Sequence, residues 1–162
     1  MGRFGSFAAA AFMCCWLVAA GGCALPYSLR VGDGIDDVRQ RLGPPGYEHA
    51  TSDGGRNLLY PIGRQTYLLA FDAQGRLQRW ENVLDEAHFA LVSPGMTREQ
   101  VLQQLGEPTE VWGVRYHSQT VWTYRFVGPF CLLFHVGLTP AGIVEDASYG
   151  PDPRCERGGR LL

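Results

Sequence analysis

Histidine, cysteine and arginine are where chemistry would have to start in this chain. The four histidines, His49, His88, His117 and His135, are scattered at no spacing that matches a metal-ligand set. Cys131 and His135 share one side of a predicted strand, but they stand about 13 Å apart along it. That is too far for a direct thiolate–imidazole pair. All 14 basic residues are arginine, which excludes a lysine nucleophile, a Schiff base and a Walker-type phosphate lysine. No Ser-His-Asp arrangement is legible. The sequence therefore predicts no enzyme, no catalytic residue, no metal, no cofactor and no small-molecule substrate. The formal charge of −2 gives no electrostatic footprint for nucleic acid. What is left is recognition: Trp112, Arg115, Tyr116 and His117 fall in a predicted loop or hairpin before Thr120, and aromatic and arginine residues on loops are typical protein-binding anchors. Arg64, in "PIGRQTY", is a weaker candidate of the same kind.

The elements that must position these residues come in two copies. "GDGIDDVRQRLGPP" (Gly32–Pro45) and "GMTREQVLQQLGEP" (Gly95–Pro108) align without gaps and share Gly, Val, Gln, Leu, Gly and Pro. The second copy reads as a helix with its punctuation. Thr97 is the N-cap and Gln100 closes a capping box, Met96 can staple onto Val101, and Val101, Leu102 and Leu105 form the apolar stripe. Gly106 suits a left-handed C′ position and Pro108 stops the helix. Because Gly106 ends a helix and does not begin one, the phrase is not a phosphate loop. The first copy has Gly34 at the N-cap and Asp37 at N3, so neither box nor staple forms, and its helix is expected to be weaker by about 1 kcal/mol. Upstream of the second copy, "DEAHFALV" (Asp85–Val92) predicts a further helix, with Asp85 as N-cap and Ala87, Phe89 and Leu91 inward.

Three strands follow each helix by alternation and turn chemistry: Gly54–Tyr60, Arg64–Phe71 and Arg76–Val83, then Thr120–Phe126, Phe130–Leu138 and Ile143–Tyr149. A short extra strand near Val111–Val114 fits as well. Trp122, Tyr124 and Phe126 share one strand face, and Phe130, Leu132, Phe134 and Val136 another; both are expected to pack on helices. The predicted fold is α+β: two helix-plus-three-stranded antiparallel repeats forming one compact body, joined edge to edge because one such unit buries little core alone. The expected division is a signal peptide at 1–22, a lipidated N-terminal linker at 23–31, repeats at 32–83 and 84–150, and a flexible tail at 151–162.

The N-terminus carries the targeting signal. Arg3 precedes "FAAAAFMCCWLVAAGGC" (Phe7–Cys23), a run short for a membrane span and suited to a secretory signal peptide. With Ala20, Gly21 and Gly22 before Cys23, it resembles a bacterial lipoprotein signal, which implies cleavage and diacylation of Cys23; Ala24 then implies transfer to the outer membrane. Acyl chains contribute about 0.8 kcal/mol per buried methylene, so two or more anchor stably. "MGRFGS" also fits a myristoylation pattern, but secretion explains it together with the apolar run. In an oxidising compartment Cys131 and Cys155 are a candidate disulfide pair that would pin the C-terminus; the alternative is two separate thiols.

"LVSPGMTREQVLQQLGEPTEV" (Leu91–Val111) followed by "VWTYRF" (Val121–Phe126) resembles the BamE family, also called SmpA/OmlA, through Gly95, Met96, Thr97, Gln100, Val101, Leu105, Gly106, Pro108, Trp122 and Tyr124. The first unit matches loosely, through Gly32, Val38, Leu42, Gly43, Pro45 and Tyr60. That family is one of small outer-membrane lipoproteins that serve as accessory subunits in β-barrel insertion. Tandem units of this kind also resemble the β-lactamase inhibitor protein. The resemblance implies a lipid-anchored protein on the periplasmic face of the bacterial outer membrane, held to the membrane by its anchor and bound to other envelope proteins such as the barrel-assembly machinery. The alternative it leaves is a periplasmic binding module that inhibits a hydrolase. Neither family brings a catalytic residue.

Overall fold

The two copies of the repeated phrase start two copies of one structure. The computed structural model describes residues 29–114 and 118–158. In chain order these form α1 (Ile35–Leu42), β1 (Tyr47–Ala50), β2 (Arg56–Ile62), β3 (Gln65–Phe71), β4 (Leu77–Asn82), α2 (Glu86–Phe89), α3 (Arg98–Leu105), β5 (Glu110–Val114), β6 (Gln119–Arg125), β7 (Leu132–Leu138), β8 (Val144–Pro151) and α4 (Pro153–Gly158). The strands make two antiparallel sheets, β1-β2-β3-β4 and β5-β6-β7-β8. Each unit thus has four strands. The extra strand of the second unit, β5, matches the expected one; β1 has no counterpart in the sequence expectation.

The same hydrogen bonds lock each helix to its own sheet. In the first unit the N–H groups of Gly32 and Ile35 donate to the carbonyls of Leu77 and Gly75, and Leu77 N–H donates to Asp33. In the second, Gly95 and Arg98 donate to Val144 and Gly142, and Val144 donates to Met96. Helix starts follow the local rules. Gln100 N–H donates to Thr97 Oγ1 at 3.2 Å and Thr97 N–H to Gln100 Oε1 at 2.8 Å, the full capping box. Asp85 caps α2 by accepting from His88 N–H at 2.9 Å, whereas Gly34 gives α1 no side-chain cap. The α2 helix ends at Phe89, too short for a helical stripe. Phe89 and Val92 are therefore buried, while Ala87 and Leu91, expected inward, face solvent.

Each helix is also tied at its end by a tyrosine. The Tyr60 hydroxyl donates to the Gly43 carbonyl and the Tyr124 hydroxyl to the Gly106 carbonyl, both at 3.1 Å. These bonds satisfy carbonyls that the last helical turn leaves orphaned, and they explain why the glycine and the strand tyrosine recur together. Tyr124 is fully buried, and burial pushes its hydroxyl far above the usual tyrosine range. Tyr124→Phe strands the Gly106 carbonyl in the core and is expected to cost about 1–2 kcal/mol, measured by urea unfolding. Tyr60→Phe should cost less, because that bond is only part-buried.

The units do not join edge to edge. Leu58, Tyr60, Leu69 and Phe71 pack with Val38 of α1 on one face of the first sheet. Leu59 and Leu68 are buried on the opposite face, and there the second unit meets them. A Cβ built on Gly106 would lie 3.3 Å from Leu59 and 3.2 Å from Thr66. Tyr47 packs into the second core, and its hydroxyl donates to Glu99 of α3. The layers run α1, first sheet, α3, second sheet. A sheet apolar on both faces stabilises more when sandwiched than when extended at its edge. The second core is aromatic: Phe89 stacks on Phe134 at 4.3 Å and meets Phe126 edge-on at 5.0 Å. Trp122, Tyr124, Val136 and Leu138 join it. Phe130, expected there, sits in the turn before β7 and is 73% exposed. Cys131 is likewise outside the strand, at φ 50°, so its side chain does not share a strand face with His135.

Candidate functional site

Among the described residues, neither α1 nor α3 covers the outer face of the second sheet. Alternation along β6 sends Trp122 and Tyr124 inward and Val121, Thr123 and Arg125 outward. Register then sets Glu110, Thr123, His135 and Ser148 in one row, and Arg125, Leu133 and Gly150 in the next. The chain after β8 turns back over this face. Asp152 precedes Pro153 as N-cap, accepting from Arg154 N–H at 2.9 Å; proline at the first helical position and aspartate before it are a favoured start. Cys155 of α4 is disulfide-bonded to Cys131, and Asp152 N–H donates to the Cys131 carbonyl at 2.9 Å. Residues 153–158, part of the stretch expected to be a flexible tail, are therefore helical and fastened to the turn before β7.

Between this strap and β5 lies a groove of about 400 Å3, walled by Trp112, His135, Leu133, Pro151, Pro153 and Arg154, with Arg125 and Thr123 at its floor. Arg125 is buried and pairs with buried Asp152, and its Nη2 lies 3.3 Å from Glu110, which also faces Arg154 at 3.6 Å. Two arginines and two carboxylates thus compensate each other. Burial raises the Asp152 carboxyl, but the Arg154 N–H and the Arg125 guanidinium outweigh it and hold it below the usual aspartate range. Arg125 Nε is buried and has no hydrogen-bond partner among the described residues.

Trp112 stands 48% exposed on β5, the first arm of the β5–β6 hairpin, and its indole N–H donates to Thr123 Oγ1 at 3.1 Å. The Thr123 hydroxyl is then free to donate to His135 Nδ1, 3.0 Å away. Burial lowers the His135 pKa, with Glu110 opposing, so the imidazole is neutral at pH 7. Gly150 leaves room for the ring here: a Cβ at that position would be 2.8 Å from His135 Nε2. The groove offers an aromatic wall, fixed hydrogen-bond partners and a compensated charge cluster, the equipment of a binding surface.

The other sequence candidates are placed elsewhere. Arg64, in the β2–β3 turn, donates to the Phe126 carbonyl at 2.8 Å and so ties the units together. Cys23, Arg115, Tyr116 and His117 lie outside the described residues. His49, His88 and His135 sit on β1, α2 and β7, apart from one another. Arg125 and Asp152 were missed, although a charged residue inside the apolar run "VWTYRF" and the Asp-Pro pair at 152–153 were signals for both.

Residues 81–127 match the family model of the outer membrane protein assembly factor BamE domain. This stretch is BamE-like. The match takes in α2, α3, β5 and β6, the elements that carry the capping box, the Gly106–Tyr124 tie and one wall of the groove. No curated protein matches the sequence. Among solved structures, a protein of Streptococcus mutans described as a candidate β-lactamase inhibitor is 11% identical, with 76% of this chain and 91% of that one covered and a TM-score of 0.34. The Bacillus subtilis DUF4309-family protein YjgB is 15% identical over 74% of this chain and 78% of its own, at 0.29. At these TM-scores neither likeness bears on fold or function. Among the described residues no helix is long and apolar enough to cross a membrane.

Proposed function

We propose that this is a lipid-anchored protein on the periplasmic face of the outer membrane that binds other envelope proteins, without catalysis, in support of β-barrel assembly or envelope integrity. The observation that carries the reading is the coincidence of the BamE-like stretch, 81–127, with the unit that presents the groove. The lipoprotein-type signal ending at Cys23 agrees with it. We assign Trp112, and with it Arg115, Tyr116 and His117, as binding anchors; Arg64 is given instead to the seam between the units.

Cys23→Ala tests the anchor. The variant should accumulate as unprocessed precursor and leave the outer-membrane fraction, while crosslinked wild-type protein should recover envelope proteins, barrel-assembly subunits among them. A variant that still sediments with the outer membrane overturns the anchor. Wild-type protein that captures no envelope protein overturns the binding role.

A further inference from the structure

The two sheets have four edges, and three are guarded against pairing. β1 is only four residues long, and its Glu48 is held between Arg39 and Arg56. β4 carries the Arg79–Glu81 ion pair and a register shift against β3. β8 presents exposed Glu145 and Asp146, ends in Pro151 and shifts register against β7. β5 has none of these guards. It runs in unbroken register with β6 from Glu110 to Val114, without proline. Among the described residues it pairs with no other strand. Its one charge, Glu110, is turned to Arg125 and Arg154. Val111 is 58% exposed on the face of Trp122, and Trp112 is 48% exposed on the groove face.

We infer that β5 is a docking edge for an extended strand of a partner protein, which adds to the second sheet as a fifth strand. This rests on the binding role proposed above and names the surface and the partner's chemistry. The bare backbone of β5 selects an extended chain with free N–H and C=O groups. Its flanks then select the side chains. A strand laid beside β5 has one face toward Val111 and the other toward Trp112 and the groove, so it needs consecutive apolar residues, one for each face. A second copy of this chain fits less well. Two-fold antiparallel pairing sets residues of equal parity opposite one another. Centred on Trp112 it places Val111 against Gly113; shifted either way, it places Trp112 against Glu110 or Val111 against Arg115. One of the two exposed apolar residues is left unmatched in each register.

The probe is a capped heptapeptide, Thr-Gln-Val-Phe-Val-Thr-Gln, against full-length mature protein, with the same peptide N-methylated at alternate residues as control. The peptide should bind and slow amide exchange across Glu110–Val114. N-methylation, which deletes backbone donors and leaves the side chains, should weaken binding tenfold or more. Val111→Lys places a charge on an already exposed edge position and should do the same without altering the thermal midpoint. Equal binding by the N-methylated peptide, or by Val111→Lys, overturns the edge. Concentration-dependent dimerisation abolished by Val111→Lys, with no peptide bound, assigns the edge to a second copy and overturns the partner strand. If crosslinked wild-type protein captures envelope proteins and Val111→Lys captures them equally, the edge fails and the binding role stands. If wild type captures none, the role itself fails.

Discussion

Gly106→Ala is expected to destabilise the fold by roughly 2–4 kcal/mol, and Gly43→Ala by less, roughly 1–3 kcal/mol. Both glycines end a helix of the repeated phrase, and their backbones are nearly identical: φ 76°, ψ −164° at Gly106 and φ 83°, ψ −166° at Gly43. That region is open in practice only to glycine, so each alanine bears the same backbone strain. The surroundings separate them. Among the described residues nothing lies within 4 Å of a Cβ at Gly43, whereas at Gly106 it meets Thr66 and Leu59 of the first sheet at 3.2 and 3.3 Å. The excess loss at Gly106 therefore reports how closely α3 presses on the first sheet. Urea unfolding of the two variants measures it. Equal losses would show that the units do not touch at this point.

The helices were legible because their signals are local. Thr97, Gln100, Gly106 and Pro108 fix a start and a stop within one short phrase, and the capping box forms as written. The joint between units was misjudged, although its signal was present. Leu58-Leu59-Tyr60 in β2 and Tyr67-Leu68-Leu69 in β3 are unbroken apolar runs, which is how a strand buried on both faces reads; β8, with Glu145 and Asp146, is not. A sheet with two apolar faces has to lie between layers, and that excludes a join at its edge. β1 was invisible for a different reason. Tyr47-Glu48-His49-Ala50 has weak strand propensity and becomes a strand only because β2 offers it a ladder and α3 offers Tyr47 a core.

The groove was half legible. Trp112 was singled out by residue type, which fits its exposure, and the short strand expected near Val111–Val114 is where it lies, on β5. Arg125 was not singled out. Its importance depends on Asp152, 27 positions away, and that pairing exists only because the chain after β8 folds back and is fastened at Cys131. Charge pairs made by a returning segment leave no spacing pattern to find.

Removing that carboxylate is the sharper test of how the groove is held. Asp152→Ala is expected to cost about 2–3 kcal/mol, somewhat below the range for breaking a deeply buried pair. Three things are lost together. Among the described residues, buried Arg125 has no partner for Nε and keeps only Glu110 at 3.3 Å as an ion-pair partner. The α4 N-cap disappears with the Asp152 Oδ1 acceptor for Arg154 N–H. The strap is then held mainly by the Cys131–Cys155 disulfide and backbone bonds. The loss is limited because the groove is open and Glu110 can close on the freed guanidinium. Its pH dependence has a definite sign. The Asp152 carboxyl lies below its ordinary value in the fold, so its stabilisation is fully present above the unfolded pKa of about 4 and is lost as pH falls through the folded value. The gap between wild type and Asp152→Ala should stay constant from pH 7 to about pH 5 and narrow below pH 4. Asp152→Asn separates the charge from the cap: it keeps an oxygen for Arg154 N–H and should lose less than alanine. A gap that does not narrow in acid, or an asparagine variant as stable as wild type, would show that Arg125 is held by something other than the Asp152 charge.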